Sequence, residues 1–131
     1  MEAMSVLVVE DEAILAILLT RTLTRHGCLC LPYLATGEEA IQSFETNHPD
    51  IILMDIRLAG GMDGIEAVNA IHAIEPKALV LYLTGYTNEE ITLRAQQSGM
   101  LGLLHKPYEY TELLAILNRI AVEKDCTPLT M

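Results

Sequence analysis

Short apolar runs alternate with longer stretches of helical period five times along the chain, and that alternation limits the fold more than any other feature. The apolar runs are Ser5 to Glu10 (SVLVVE), Cys28 to Tyr33 (CLCLPY), Ile51 to Asp55 (IILMD), Ala78 to Thr84 (ALVLYLT) and Leu101 to Pro107 (LGLLHKP). Between them, Glu12 to His26 carries Ile14, Leu15, Leu18, Leu19 and Leu23 at helical spacing, and Ile65 to Ile74 repeats Ile65, Val68, Ile71 and Ile74. Thr36 is placed to cap a helix to about Asn47, with Glu39 as capping-box partner. Thr87 or Asn88 opens a helix to Ser98, and Thr111 opens a last one to about Glu123. Gly27 and Gly99 are placed to stop helices, as is Pro76. Strand–helix alternation of this kind predicts an α/β domain: a parallel sheet with helices on both faces. The apolar runs show no strict in–out alternation, as strands covered on both faces should not. The stretch RLAGGMDG reads as a loop by its glycines. Pro32 suggests an edge strand.

At 131 residues, 51% of them hydrophobic and 20% charged, the chain suits one globular domain. No apolar run approaches the length of a membrane span, and the acidic start MEAMSVLVVEDE is unlike a secretory signal, so a cytoplasmic protein is expected. A net charge of −10 without a basic stripe argues against nucleic-acid binding. The cysteines Cys28, Cys30 and Cys126 are odd in number and lack zinc-site spacing, and are expected to stay reduced. The tail DCTPLTM has no periodicity, so residues 1–124 are expected to form the domain and 125–131 a flexible tail.

In open α/β sheets, ligands bind beyond the carboxyl ends of the strands. Glu10, Asp11 and Glu12 follow the first apolar run, Asp55 the third, Thr84 and Gly85 the fourth, and His105, Lys106 and Pro107 close the fifth. Asp55 ends four apolar residues of a central strand, where an unpartnered carboxylate is costly. Taken singly, Glu10 and Asp11 could cap a helix, Lys106 could be a loop lysine and Thr84 a strand-ending hydroxyl. Together they converge on one sheet edge. Carboxylates crowded there repel one another, and a hard divalent cation such as Mg²⁺ relieves the repulsion. Asp55 could then use one oxygen as ligand and the other as nucleophile toward phosphorus. Lys106 would add positive charge against phosphoryl oxygens, Thr84 a hydroxyl donor, and Gly85 open space.

The ordered set VLVVEDE, IILMDIRL, MDGIEA, LTGY and HKPY resembles the receiver domain of two-component response regulators, over about residues 4 to 122. The resemblance implies a flavodoxin-like (βα)5 domain with strand order 2-1-3-4-5. It implies that Asp55 is the phosphoacceptor, that Glu10 and Asp11 hold Mg²⁺ with Asp55 and the backbone carbonyl of Arg57, and that Thr84 and Lys106 contact the phosphoryl group. It implies a cis Lys106–Pro107 bond. A histidine kinase or histidine phosphotransfer domain would supply the phosphoryl group, and phosphorylation would switch contacts with a downstream protein. A homodimer through the fourth helix, fifth strand and fifth helix is an expectation of the same kind. The domain would act on itself alone and is not expected to be an enzyme.

Two departures from the family pattern stand out. Leu103 occupies the position, three before the lysine, that usually holds an aromatic side chain, so the usual threonine–aromatic switch cannot operate. The loop RLAGGMDG is one residue longer than the commoner pattern and is expected to lie against the site. Arg57 and Tyr86 flank the cleft and are expected to slow water attack on an acyl phosphate. A haloacid-dehalogenase-type phosphatase would need a second Asp where Arg57 stands. An FMN binder would need a phosphate loop where Glu10, Asp11 and Glu12 stand, and no P-loop motif occurs. The remaining alternative is a receiver-like binding module that works without phosphorylation.

Overall fold

The computed structural model describes residues 1–131. Its elements run β1 (Ser5–Val9), α1 (Ala13–Arg25), β2 (Leu29–Cys30), α2 (Gly37–Asn47), β3 (Ile51–Met54), α3 (Gly64–Ile74), β4 (Val80–Thr84), α4 (Glu89–Gln97), β5 (Gly102–His105) and α5 (Tyr110–Glu123). The five strands form one sheet in the order β2-β1-β3-β4-β5, and every pairing is parallel. β2 is the short edge strand, ending two residues before Pro32.

Strand side chains divide by parity between two cores. Val6, Val8, Leu53, Leu81 and Leu83 point to one face, with Leu19 and Leu23 of α1 and Leu113, Leu117 and Ile120 of α5. Leu7, Val9, Ile52, Met54, Val80 and Tyr82 point to the other, against Phe44 of α2, Ile65, Val68 and Ile71 of α3, and Ala95 of α4. Central strands buried on both faces explain the unbroken apolar runs.

Side-chain caps mark where α2, α3 and α4 begin. Thr36 accepts from the Glu39 amide at 3.2 Å, while its own hydroxyl donates to the Glu39 carboxylate at 2.9 Å. Asn88 caps α4 through the Ile91 amide at 2.8 Å. The reciprocal capping box lies at α3, between Asp63 and Glu66, inside a stretch whose glycines read as loop. The longer loop before α3 folds against the start of α2: Ala59 bridges Thr36, and Gly60, with φ of +88°, lies beside Glu38.

The last residues pack on the domain. Residues 125–131 do not hang free of the domain. Cys126 and Leu129 are buried in the α1–α5 core. The Thr127 and Thr130 amides each donate at 2.8 Å, to the Glu2 and His26 carbonyls, and the Leu129 amide donates to Asn118 Oδ1 at 2.9 Å. Two apolar side chains three residues apart were enough to anchor a segment too short to show a period.

The apolar residues of α1 divide between two faces. Ala16, Leu19 and Leu23 face the core, but Ile14, Leu15, Ile17 and Leu18 face outward, Ile14 at 75% exposure. No helix is long and apolar enough to cross a membrane.

Candidate functional site

Parallel pairing of β1, β3 and β4 brings their carboxyl ends level. Val9 pairs with Met54, and Met54 with Tyr82, so Glu10 and Asp55 emerge side by side. Each is buried, at 6% and 8% exposure, while Asp11 is exposed. Carboxylate oxygens of Glu10, Asp11 and Asp55 lie within 4.8 Å of one another. The set is oxygen-only with one water-facing member, which fits a hard divalent cation that keeps part of its hydration shell.

Lys106 reaches into this cluster from the end of β5. Its ammonium donates to Glu10 Oε1 at 2.5 Å and to Asp55 Oδ2 at 3.0 Å. Burial pulls against the charged ammonium, but the hydrogen bonds and charges of Glu10 and Asp55 outweigh it and hold the group above its ordinary value. Asp55 Oδ1 accepts from the Arg57 amide at 3.2 Å, and Glu10 Oε2 from the Glu12 amide at 3.2 Å. The Lys106–Pro107 bond is cis.

Thr84 is buried, and its hydroxyl donates to the Tyr86 carbonyl at 3.0 Å rather than to Asp55. A Cβ on Gly85 would meet nothing within 4 Å, so space is open there. The Arg57 guanidinium stacks over the Tyr86 ring, 4.5 Å from its centroid. That contact joins the β3–α3 and β4–α4 loops. Leu103 is half-buried on the α3–α4 side, in register with Tyr82 of β4.

One site residue had no role in the sequence reading. A Cβ on Gly64 would fall 2.0 Å from the Asp55 carbonyl oxygen. The first residue of α3 therefore has to be glycine for the helix to pack against the backbone of Asp55, and its amide donates to the Ile56 carbonyl at 2.7 Å. The motif MDGIEA carries this glycine, but only the fold shows what it approaches.

Beside the acids, a cavity of about 390 Å³ opens between α1 and the β5–α5 loop, walled by Leu15, Leu19, Leu83, Pro107, Tyr108 and Tyr110. Burial pushes the Tyr108 phenol up to about 12, so it stays neutral.

The model of the response regulator receiver domain matches residues 6–118. The chain belongs to that family. Among receiver-containing relatives, it is 27% identical to the chemotaxis protein CheY of Thermotoga maritima over 88% of this chain and 96% of that protein. It is 30% identical to the DNA-binding transcriptional regulator NtrC of Klebsiella pneumoniae, over 86% of this chain and 24% of that one. The chain thus spans about a quarter of the length of its NtrC relatives. Among solved structures, the signal receiver domain of a modulated diguanylate cyclase from Desulfovibrio desulfuricans G20 superposes with a TM-score of 0.84 at 29% identity, covering 95% of this chain and 98% of that one. Receiver domains are signalling domains, and this one has the (βα)5 fold and the strand order its sequence implied.

Proposed function

We propose that Asp55 accepts a phosphoryl group from a phosphohistidine on a sensor histidine kinase or a histidine phosphotransfer domain, and that phosphorylation switches contacts with a downstream protein. The observation that carries this reading is the pairing of buried Asp55 with Lys106 beside two further carboxylates. Asp55 has one oxygen on Lys106 and the other on the Arg57 amide. A carboxylate oxygen of Asp55 attacks phosphorus, the P–N bond breaks, and its electron pair stays on the donor's imidazole. Lys106 screens the phosphoryl oxygens, and Thr84 exchanges its bond to Tyr86 for one to the new group.

Glu10, Asp11, Asp55 and the Arg57 carbonyl would hold Mg²⁺. When bound, the ion neutralises charge on the transferring group. Arg57 stacked on Tyr86 covers the open side and slows hydrolysis of the acyl phosphate by limiting water.

The outward face of α1 is where we place the phosphodonor. Leu15 lines the cavity that ends at Asp55 together with Tyr110, which is also exposed, and Ile14, Ile17 and Leu18 are exposed on the same helix. An apolar helix seated there brings its own histidine to the carboxylate. Exposed Leu93 and Leu101, in α4 and just before β5, leave the opposite side for the downstream protein or a second copy. A binding module indifferent to phosphorylation would have no use for a buried aspartate held by a lysine.

Borohydride trapping tests the assignment. An acyl phosphate at Asp55 is reduced to homoserine, and peptide mapping should find homoserine at position 55 alone. Reduction at another carboxylate, or nowhere, would remove Asp55 from the role.

A further inference from the structure

The cavity beside Asp55 is apolar over most of its wall. Leu15 and Leu19 line it from α1, Leu53 and Leu83 from the sheet, and Pro107 from the loop after β5. Leu19, Leu53 and Leu83 are buried members of the α1–α5 core, so the inner wall is fixed by packing. Leu15 and Tyr110 are partly exposed and form the mouth. The Tyr108 and Tyr110 rings meet edge to face there, their centroids 6.1 Å apart.

At about 390 Å³ the cavity is of small-molecule size. With about 30 Å³ of liquid volume per heavy atom, that is room for about a dozen heavy atoms, one bicyclic ring with a short side chain. Apolar walls hydrate poorly, so a ring that replaces the water there lowers the free energy.

Charge at the acid end selects what the ring carries. Glu10, Asp55 and Lys106 are the charged side chains of the lining. The Lys106 ammonium is already shared, at 2.5 Å from Glu10 and 3.0 Å from Asp55. Two carboxylates against one ammonium leave that end net negative, and the neighbouring Asp11 adds to it. Glu10 Oε2 and Asp55 Oδ1 each accept one backbone amide at 3.2 Å, and each keeps a lone pair for a further donor. A ligand carboxylate is repelled here. A protonated amine is attracted, and phenol rings at the mouth favour a cation as well.

We propose that this cavity is a binding site for a compact aromatic molecule bearing a protonated amine, with its ring among Leu15, Leu19, Leu83 and Pro107 and its ammonium at Glu10 and Asp55. The binding does not rest on phosphorylation of Asp55. On the docking proposed above, such a ligand and the phosphodonor exclude one another, because both occupy the space between α1 and the acids.

The test is amide NMR of the unphosphorylated chain without Mg²⁺, with tryptamine as the probe. Saturable shifts should centre on Leu15, Leu19, Leu83 and Tyr108, with a Kd of about 1 mM or tighter. Indole-3-propionate, the anionic counterpart, should bind more weakly by about tenfold or more. Ethylamine, which lacks the ring, should produce no saturable shift. Leu15→Trp fills the mouth and Tyr110→Lys puts a positive charge on it, and each should weaken tryptamine by about tenfold. Ile14→Trp, at a side chain 75% exposed and outside the lining, should bind as the wild type does. Shifts that do not saturate, or that centre elsewhere, would overturn the proposal. So would equal binding of the propionate or of ethylamine, or tryptamine binding unchanged by the two cavity variants. None of these outcomes bears on whether Asp55 accepts a phosphoryl group.

Discussion

Gly64 shows how much the site asks of one residue. A methyl group there would sit 2.0 Å from the Asp55 carbonyl, so either α3 or the strand end must move. Gly64→Ala should lower unfolding stability by about 3 kcal/mol, as overpacking against backbone does, read as a lower denaturation midpoint at unchanged slope. Gly85→Ala, with open space around it, should leave stability nearly unchanged and serves as the comparison. The sequence shows both glycines beside chemistry-bearing residues and does not tell them apart, because the difference is a tertiary approach. Asp55, Glu10 and Lys106 were legible for the opposite reason. A polar group that ends an apolar run is visible locally, and parallel pairing brings such ends together.

At the scale of elements, strands and helices follow apolar runs and caps closely, since both are local signals. What a local period leaves open is decided by distant packing. The first two turns of α1 are apolar all round, and their period alone does not say which stripe is buried. If the outward stripe receives the phosphodonor, Leu18→Arg should slow transfer from a phosphohistidine protein by about tenfold or more, from the loss of a buried leucine. Phosphorylation by a small-molecule donor should be unaffected. Equal slowing of both would place Leu18 in the fold of the site and not at its docking face. The two loops bridged by Arg57 and Tyr86 give a separate expectation. The stacking is worth about 1 kcal/mol, so Arg57→Asn should shorten the lifetime of the phosphorylated form by about fivefold in a dephosphorylation time course. An unchanged lifetime would mean that the pair does not screen water.

For the whole molecule, the fold class and strand order were readable from the alternation together with the family resemblance, while the docked tail and the cavity beside Asp55 were not. Cys126 and Leu129 carry no periodic signal, and the walls of the cavity, such as Leu15 and Tyr110, lie far apart in the chain. If the three clustered carboxylates hold Mg²⁺ as proposed, only the folded state binds it. At a Mg²⁺ concentration a hundredfold above Kd, stability should rise by about 2.7 kcal/mol, seen as a higher Tm, and Asp11→Ala should lose most of that gain. A wild-type Tm indifferent to Mg²⁺ would leave the acids as surface charge.

The most direct measurement is the intact mass of the chain after incubation with a small-molecule phosphodonor and Mg²⁺, beside Asp55→Ala treated in the same way. The account predicts one added phosphoryl group on the wild type and none on the variant. No addition to the wild type, or equal addition to both, would contradict it.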